Sequence, residues 1–128
     1  FRKLFDLQKE EQCKRTHEII AFVQQYIEGH LSEDLSLPSL SEKTYLNSSY
    51  LSRLYHQTTG HKLSSFIENA RIKRAKELLE NPYEKIYEIA RKVGYDTAAS
   101  FTRLFKKAEG MSPQEYRDTF HSAKRHES

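Results

Sequence analysis

The stretch FTRLFKKAEGMSPQEY, residues 101–116, has a counterpart fifty residues earlier, LSRLYHQTTGHKLSSF at 51–66. The two share Arg and Leu at the third and fourth places, an aromatic at the fifth (Tyr55, Phe105), Gly at the tenth (Gly60, Gly110) and an aromatic at the sixteenth (Phe66, Tyr116). Each copy opens on apolar residues three and four apart, the spacing of one face of a helix. Glycine then supplies the left-handed residue on which helices commonly end. The pattern predicts a helix, a glycine stop and a further helix, built twice in one chain.

The rest of the punctuation agrees. Pro occurs only at 38, 82 and 113, and Gly only at 29, 60, 94 and 110, which cuts the chain into helix-length blocks. From Thr16, the residues Ile19, Ile20, Phe22, Val23, Tyr26 and Ile27 follow helical spacing as far as Gly29. Ser36 and Pro38 open a short helix to about Lys43, and Asn47 is a good cap for the next, about 48–58. A longer helix follows from Leu63 to Glu80, with Phe66, Ile67, Ala70, Ala75, Leu78 and Leu79 as its apolar positions, and Asn81-Pro82 stop it. Lys62 stands where the second copy has the capping Ser112, so this long helix is expected to lack a side-chain cap. Ile86, Ile89, Ala90 and Val93 face inward on a fifth helix, a turn comes at Gly94, and a sixth runs from about 97 to 108. Ser112-Pro113-Gln114-Glu115 reads as a capping box opening a last helix to about Phe120.

The expected fold is therefore all-α: about seven helices, in two helix-turn-helix subdomains, 17–62 and 82–120, joined by the central helix 63–81. Residues 1–16 read as a linker or the tail of an upstream domain, and 121–128 as a flexible tail. The chain opens on Phe1 rather than Met, so it is expected to be a piece of a longer protein.

Composition narrows the function. The 128 residues are 37% hydrophobic and 30% charged, with fifteen aromatics between Tyr and Phe, which suits small helical units with wide solvated faces. No apolar run approaches a membrane span of ~20 residues, no signal-peptide pattern opens the chain, and a lone Cys13 excludes an internal disulfide. A reducing, cytoplasmic setting is expected, close to the nucleoid, with no membrane contact. Residues 1–49 hold six Lys and Arg against eight Asp and Glu, whereas residues 50–117 hold thirteen against eight. Positive charge thus gathers where the repeated pattern lies, as on a polyanion-binding surface.

In each copy two short helices meet at a tight turn. Ala90 and Gly94 stand four apart in the second, a small residue for the helix crossing and one free to turn left-handed. Their equivalents, forty-nine residues back, are Ser41 and Tyr45, so the first turn is expected to be strained or differently shaped. Periodicity sets Leu51, Leu54 and Tyr55 inward and Ser49, Ser52, Arg53 and His56 outward; fifty residues on, Phe101, Leu104 and Phe105 are inward and Ala99, Thr102, Arg103 and Lys106 outward. Arginine can bond guanine bidentately, Ser and Thr can bond bases or phosphates, and alanine can touch a thymine methyl.

With these residues in view, YLSRLYHQTTG and RIKRAKELLENPYEKIYEIARKVGYDTAASFTRLFKKAEGMSPQEYR resemble the DNA-binding domain of the AraC/XylS family of bacterial transcription regulators over about residues 17–120. Within the family the likeness is greatest to Gram-positive regulators, often attached to receiver domains. The resemblance implies two recognition helices, about 48–58 and 97–108, entering adjacent major-groove segments of double-stranded DNA about one turn, ~34 Å, apart. It implies base contacts from Ser49, Ser52 and Arg53, and from Ala98, Ala99, Ser100, Thr102 and Arg103. The family often has bulkier or amide side chains where Ser49, Ser52, Ala98 and Ala99 stand, so specificity is expected to lean on the two arginines and on DNA shape. Backbone contacts are expected from Ser48 and Thr97 at the helix starts, and from Lys106, Lys107 and Arg117. RNA polymerase is the implied partner of an activator, and sensing belongs to a separate upstream domain.

Other readings fare worse. Six histidines and Cys13 supply no set of four zinc ligands in characteristic spacing, and there is neither a phosphate-cradling glycine loop nor a nucleophile elbow. No enzyme activity, metal or cofactor is therefore expected. A helical protein–protein interaction module remains the alternative, and it requires apolar outer faces where this sequence has Ser, Arg, His, Thr and Lys. RNA binding would require aromatic stacking platforms.

Overall fold

The computed structural model describes the backbone of residues 2–127 and the side chains of residues 10–122. Among the described residues there are seven α-helices and no strand: α1 (Arg2–Gly29), α2 (Leu37–Thr44), α3 (Ser48–Thr59), α4 (Leu63–Leu79), α5 (Ile86–Lys92), α6 (Ala98–Glu109) and α7 (Pro113–Glu127). The chain divides into two compact units, Phe1–His30 with Asp34–Ile67, and Leu31–Glu33 with Glu68–Ser128.

The first unit packs α1, α2 and α3 against one another. Ile20, Val23 and Ile27 make a narrow buried stripe on α1, while Phe22 is 47% exposed and stacks on Tyr26, which in turn stacks on His30. The core side of α1 is thus narrower than its apolar spacing suggests, since Ile19, Phe22 and Tyr26 form a second stripe turned ~100° away. α1 also begins at Arg2 and not near Thr16. Nothing between residues 2 and 28 is Gly or Pro, so good helix formers extend the helix through a segment with no apolar period. The side chains of Leu4, Phe5 and Leu7 lie outside the described residues.

Caps set the shorter helices. Ser36 Oγ accepts from Ser39 N–H at the start of α2, with Pro38 in its first turn. The Asn47 side chain accepts from the N–H groups of Ser49 and Tyr50 at the start of α3. α4 opens instead on backbone bonds, Ser65 and Phe66 N–H to the Lys62 carbonyl, because an ammonium cannot accept from an N–H. Tyr55 closes this unit: its ring meets Phe66 edge-on at 6.2 Å, and its hydroxyl accepts from Gln24 Nε2 at 3.2 Å.

The second unit has a continuous apolar core of Ile72, Ala75, Leu79, Ile89, Ala90, Val93, Tyr95, Phe101 and Phe105, flanked by Leu78, Ile86, Leu104 and Tyr116. Ile72, like Leu63 in the first unit, is a core position of α4 that its spacing did not single out; Ala70 is only half-buried. Phe105 packs edge-on to Phe101 and to Tyr116, both at 5.7 Å. Ser112 Oγ accepts from Glu115 N–H at the start of α7, which continues past Phe120 to Glu127. The tail side chains beyond Ser122 lie outside the described residues.

The two helix-turn-helix turns differ as their sequences suggest. Gly94 has φ +97°, and a Cβ there would stand 2.1 Å from the Leu31 carbonyl oxygen, so only glycine fits. Tyr95 N–H then closes the turn on the Ala90 carbonyl at 2.8 Å. In the first copy Tyr45 takes the left-handed conformation, φ 59° and ψ 25°, with its side chain 95% exposed. There the Ser41 hydroxyl donates to the Leu46 carbonyl and ties the turn instead. Beside Gly94, the Arg71 guanidinium lies 5.6 Å over the Tyr95 ring. Burial pushes the Tyr95 phenol above its ordinary pKa, against the lowering by Arg71 and with a further rise from Glu68.

One expected DNA contact is corrected here. Arg117 is only 7% exposed; its Nε donates to the Leu79 carbonyl at 3.3 Å and one terminal nitrogen to the Glu84 carbonyl at 2.6 Å. Those carbonyls sit at and beyond the end of α4, where intrahelical donors run out. The guanidinium ties the α4–α5 connection to α7 and is not available to a phosphate.

Gly94→Ala is expected to destabilise the chain by roughly 2–4 kcal/mol, from left-handed strain and overlap with the carbonyl together. Tyr45→Gly removes strain with no lost packing and is expected to stabilise by ~0.5–1 kcal/mol; urea unfolding of both variants checks the pair. Arg117→Met is expected to cost about 2–4 kcal/mol in the same measurement, by orphaning the buried Leu79 carbonyl and the part-buried Glu84 carbonyl.

Candidate nucleic-acid interface

α3 and α6 are built alike. Asn47 and Thr97 cap them from equivalent positions, and the Thr97 hydroxyl accepts from Ser100 N–H at 3.1 Å. Both helices end on a glycine with φ 78°, whose N–H bonds the carbonyl four residues back, at His56 or at Lys106. Leu51 and Tyr55 are buried in one, Phe101 and Phe105 in the other. With the inner faces fixed, the outer faces follow from 3.6 residues per turn.

On α3 Ser49, Arg53 and His56 are exposed and Ser52 is half-buried; Arg53 Nε donates back to the Ser49 carbonyl at 3.4 Å. On α6 Ala99, Arg103, Lys106 and Lys107 are exposed, whereas Ala98, Ser100 and Thr102 are half-buried. Ser48 is half-buried in the first turn of α3. Thr97 is exposed, but its hydroxyl is already engaged as the cap of α6. Of the expected contacts, Arg53 on α3 and Arg103, Lys106 and Lys107 on α6 are exposed cations, whereas Arg117 is turned inward.

Pairing of charges separates two kinds of cation. Lys76 bonds Glu109 at 2.8 Å, Arg74 bonds Glu77 at 2.8 Å, and Lys92 bonds Glu84. Among the described residues no carboxylate pairs with Arg53, Arg103, Lys106 or Lys107. The α3 face also borders a cleft of about 660 Å³, whose walls add Gln57, Lys62 and Ser64 to Ser52, Arg53 and His56. Periodicity on α3 alone does not find Lys62 and Ser64, because they enter from the start of the next helix.

Elsewhere, Cys13 Sγ lies 3.5 Å from His17 Nδ1, which also meets the Cys13 carbonyl at 2.8 Å. Among the described residues no three His, Cys, Asp or Glu side chains are grouped to hold a metal ion, and no helix is long and apolar enough to cross a membrane. Tyr45 and Tyr83 are 95% and 90% exposed, each on a turn and neither stacked on another ring among the described residues.

Known proteins are similar to this chain. The helix-turn-helix domain family matches residues 40–119. The transcriptional regulator YobQ of Bacillus subtilis is 33% identical over 100 residues, which is 78% of this chain and 42% of that protein. The arabinose operon regulatory protein of Escherichia coli is 38% identical over 94 residues, 73% of this chain and 32% of that protein. The chain thus spans less than half the length of the curated relatives it matches. Among solved structures, the C-terminal domain of AraT, a response regulator from Geobacillus stearothermophilus, superposes with a TM-score of 0.76 at 41% identity, covering 79% of this chain and 84% of that one. Two capped, glycine-ended helices with matching outer faces, together with these relatives, lead to one conclusion: the chain belongs to the AraC/XylS family of helix-turn-helix transcription regulators.

Proposed function

We propose that this chain is the operator-reading part of a bacterial transcription regulator, binding double-stranded DNA sequence-specifically with α3 and α6 each in a major-groove segment. One observation carries the reading. Arg53 and Arg103 stand exposed at the same position on two helices capped at equivalent places, and neither is neutralised by a carboxylate among the described residues. An exposed arginine left free at equivalent places on a repeated motif suits bidentate bonding to guanine O6 and N7.

The neighbouring side chains divide the remaining work. Ser49 and Ser52 flank Arg53, and Ala98, Ala99, Ser100 and Thr102 surround Arg103; small groups let the helix approach the base edges closely. Lys106 and Lys107 hold phosphates, where a point charge suffices. The first turns of both helices offer N–H groups to a phosphate, with Ser48 beside them in α3; Thr97 acts there through its cap. This assignment places the protein in the cytoplasm at its promoter DNA, and for an activator RNA polymerase is the second partner. A helix-docking adaptor suits the outer faces less, since only Ala98 and Ala99 are apolar there.

Arg53→Ala and Arg103→Ala are each expected to cost ~1–3 kcal/mol on the selected operator and to relax preference at one base position. Lys106→Ala is expected to weaken all sequences alike and to lower the slope of log affinity against log salt by about one. Selection of sites from random duplex DNA, followed by titration at several salt concentrations, measures both. Unchanged affinity and preference in both arginine variants would remove α3 and α6 as readers, and failure to enrich any sequence at low salt would favour the adaptor.

A further inference from the structure

The cleft beside α3 has features that base reading does not use. Leu35, Leu37, Leu63 and Ile67 line it, and of these Leu35 and Leu63 are buried at 5% and 4% while Leu37 remains 36% exposed. A phosphate backbone has no use for such an apolar floor. The exposed side chains of Arg53, His56 and Lys62 also line it, and no Asp or Glu is among the lining residues. Asp34, next in sequence to the lining, holds its carboxylate on Ser36 N–H at 2.9 Å. The volume of about 660 Å³ falls within the ~300–1,000 Å³ usual for small-molecule sites.

We propose that this cleft binds a small organic anion with an apolar body, of the aryl- or alkyl-carboxylate class, and that the anion and DNA exclude each other. The apolar body covers Leu37 and Ile67, the lining apolar residues that still meet water. The carboxylate meets Lys62 as a point charge and Arg53 as a planar fork, both charge-assisted. A cation of the same shape meets only repulsion. The exclusion of DNA rests on the reading of α3 given above, because Ser52 and Arg53 line the cleft and also belong to the proposed reading face.

The test separates the two claims. The chain without DNA is titrated with 4-phenylbutyrate, with its neutral amide and with inorganic phosphate, followed by calorimetry and by amide NMR shifts of residues 35–37 and 62–67. The acid is expected to saturate one site at least about tenfold more tightly than the amide or phosphate. Lys62→Gln is expected to weaken it about fivefold, and Leu37→Glu, at a solvent-facing position, to abolish it while the thermal midpoint is retained. Equal binding of the amide, equally tight binding of phosphate, or no saturation at millimolar acid overturns the proposal. Saturating acid is then expected to lower affinity for a selected operator at least about tenfold. Acid binding with undiminished DNA affinity overturns the exclusion and the role of α3 as a reader, while leaving the ligand class of the cleft in place.

Discussion

Across each glycine-ended helix, one aromatic ring is held edge-on by another from the next helix: Tyr55 by Phe66, Phe105 by Tyr116. Such pairs contribute ~0.5–1.5 kcal/mol beyond the area they bury. Their larger effect is to fix the roll of the helix about its own axis. A residue two places before the aromatic lies ~200° around a helix of 3.6 residues per turn. Pinning Tyr55 and Phe105 inward therefore turns Arg53 and Arg103 outward. The outward face of each helix is a consequence of core packing, and it is set twice by the same means.

The two copies solve the preceding turn differently. The second uses a glycine so closely packed that no Cβ fits beside the Leu31 carbonyl, with a backbone bond from Tyr95 to Ala90 across it. The first accepts a left-handed tyrosine and recruits the Ser41 hydroxyl for the Leu46 carbonyl. The small residue before the first turn, Ser41, carries a donor, whereas its counterpart before the second, Ala90, does not. Serine there supplies a tether that alanine in the second copy does not need, because the backbone already closes that turn.

Much of this was legible in the sequence, for local reasons. Ser36, Asn47, Ser112, Gly60 and Gly110 act within a few residues of themselves, so caps and stops can be read from the chain. The outer faces of α3 and α6 follow from periodicity once the aromatics are placed inward. What escaped depends on distant partners. Arg117 looks like a surface cation until carbonyls 38 and 33 residues away are brought to it. Ile72 joins the core through its neighbours in the folded unit, and Lys62 joins a wall of the α3 cleft only when α4 turns back. The early start of α1 was hidden for another reason: a charged segment without apolar period gives no face, yet its residues favour helix throughout.

That unbroken α1 has a mechanical consequence. Residues 2–15 are in register with Ile20, Val23 and Ile27, which anchor the helix in the first unit. One residue inserted among them would swing everything before it by ~100° and move it ~1.5 Å along the axis, whereas seven would almost restore the original bearing. Whatever is grafted ahead of this helix is thus coupled to the first unit by angular phase as well as by distance.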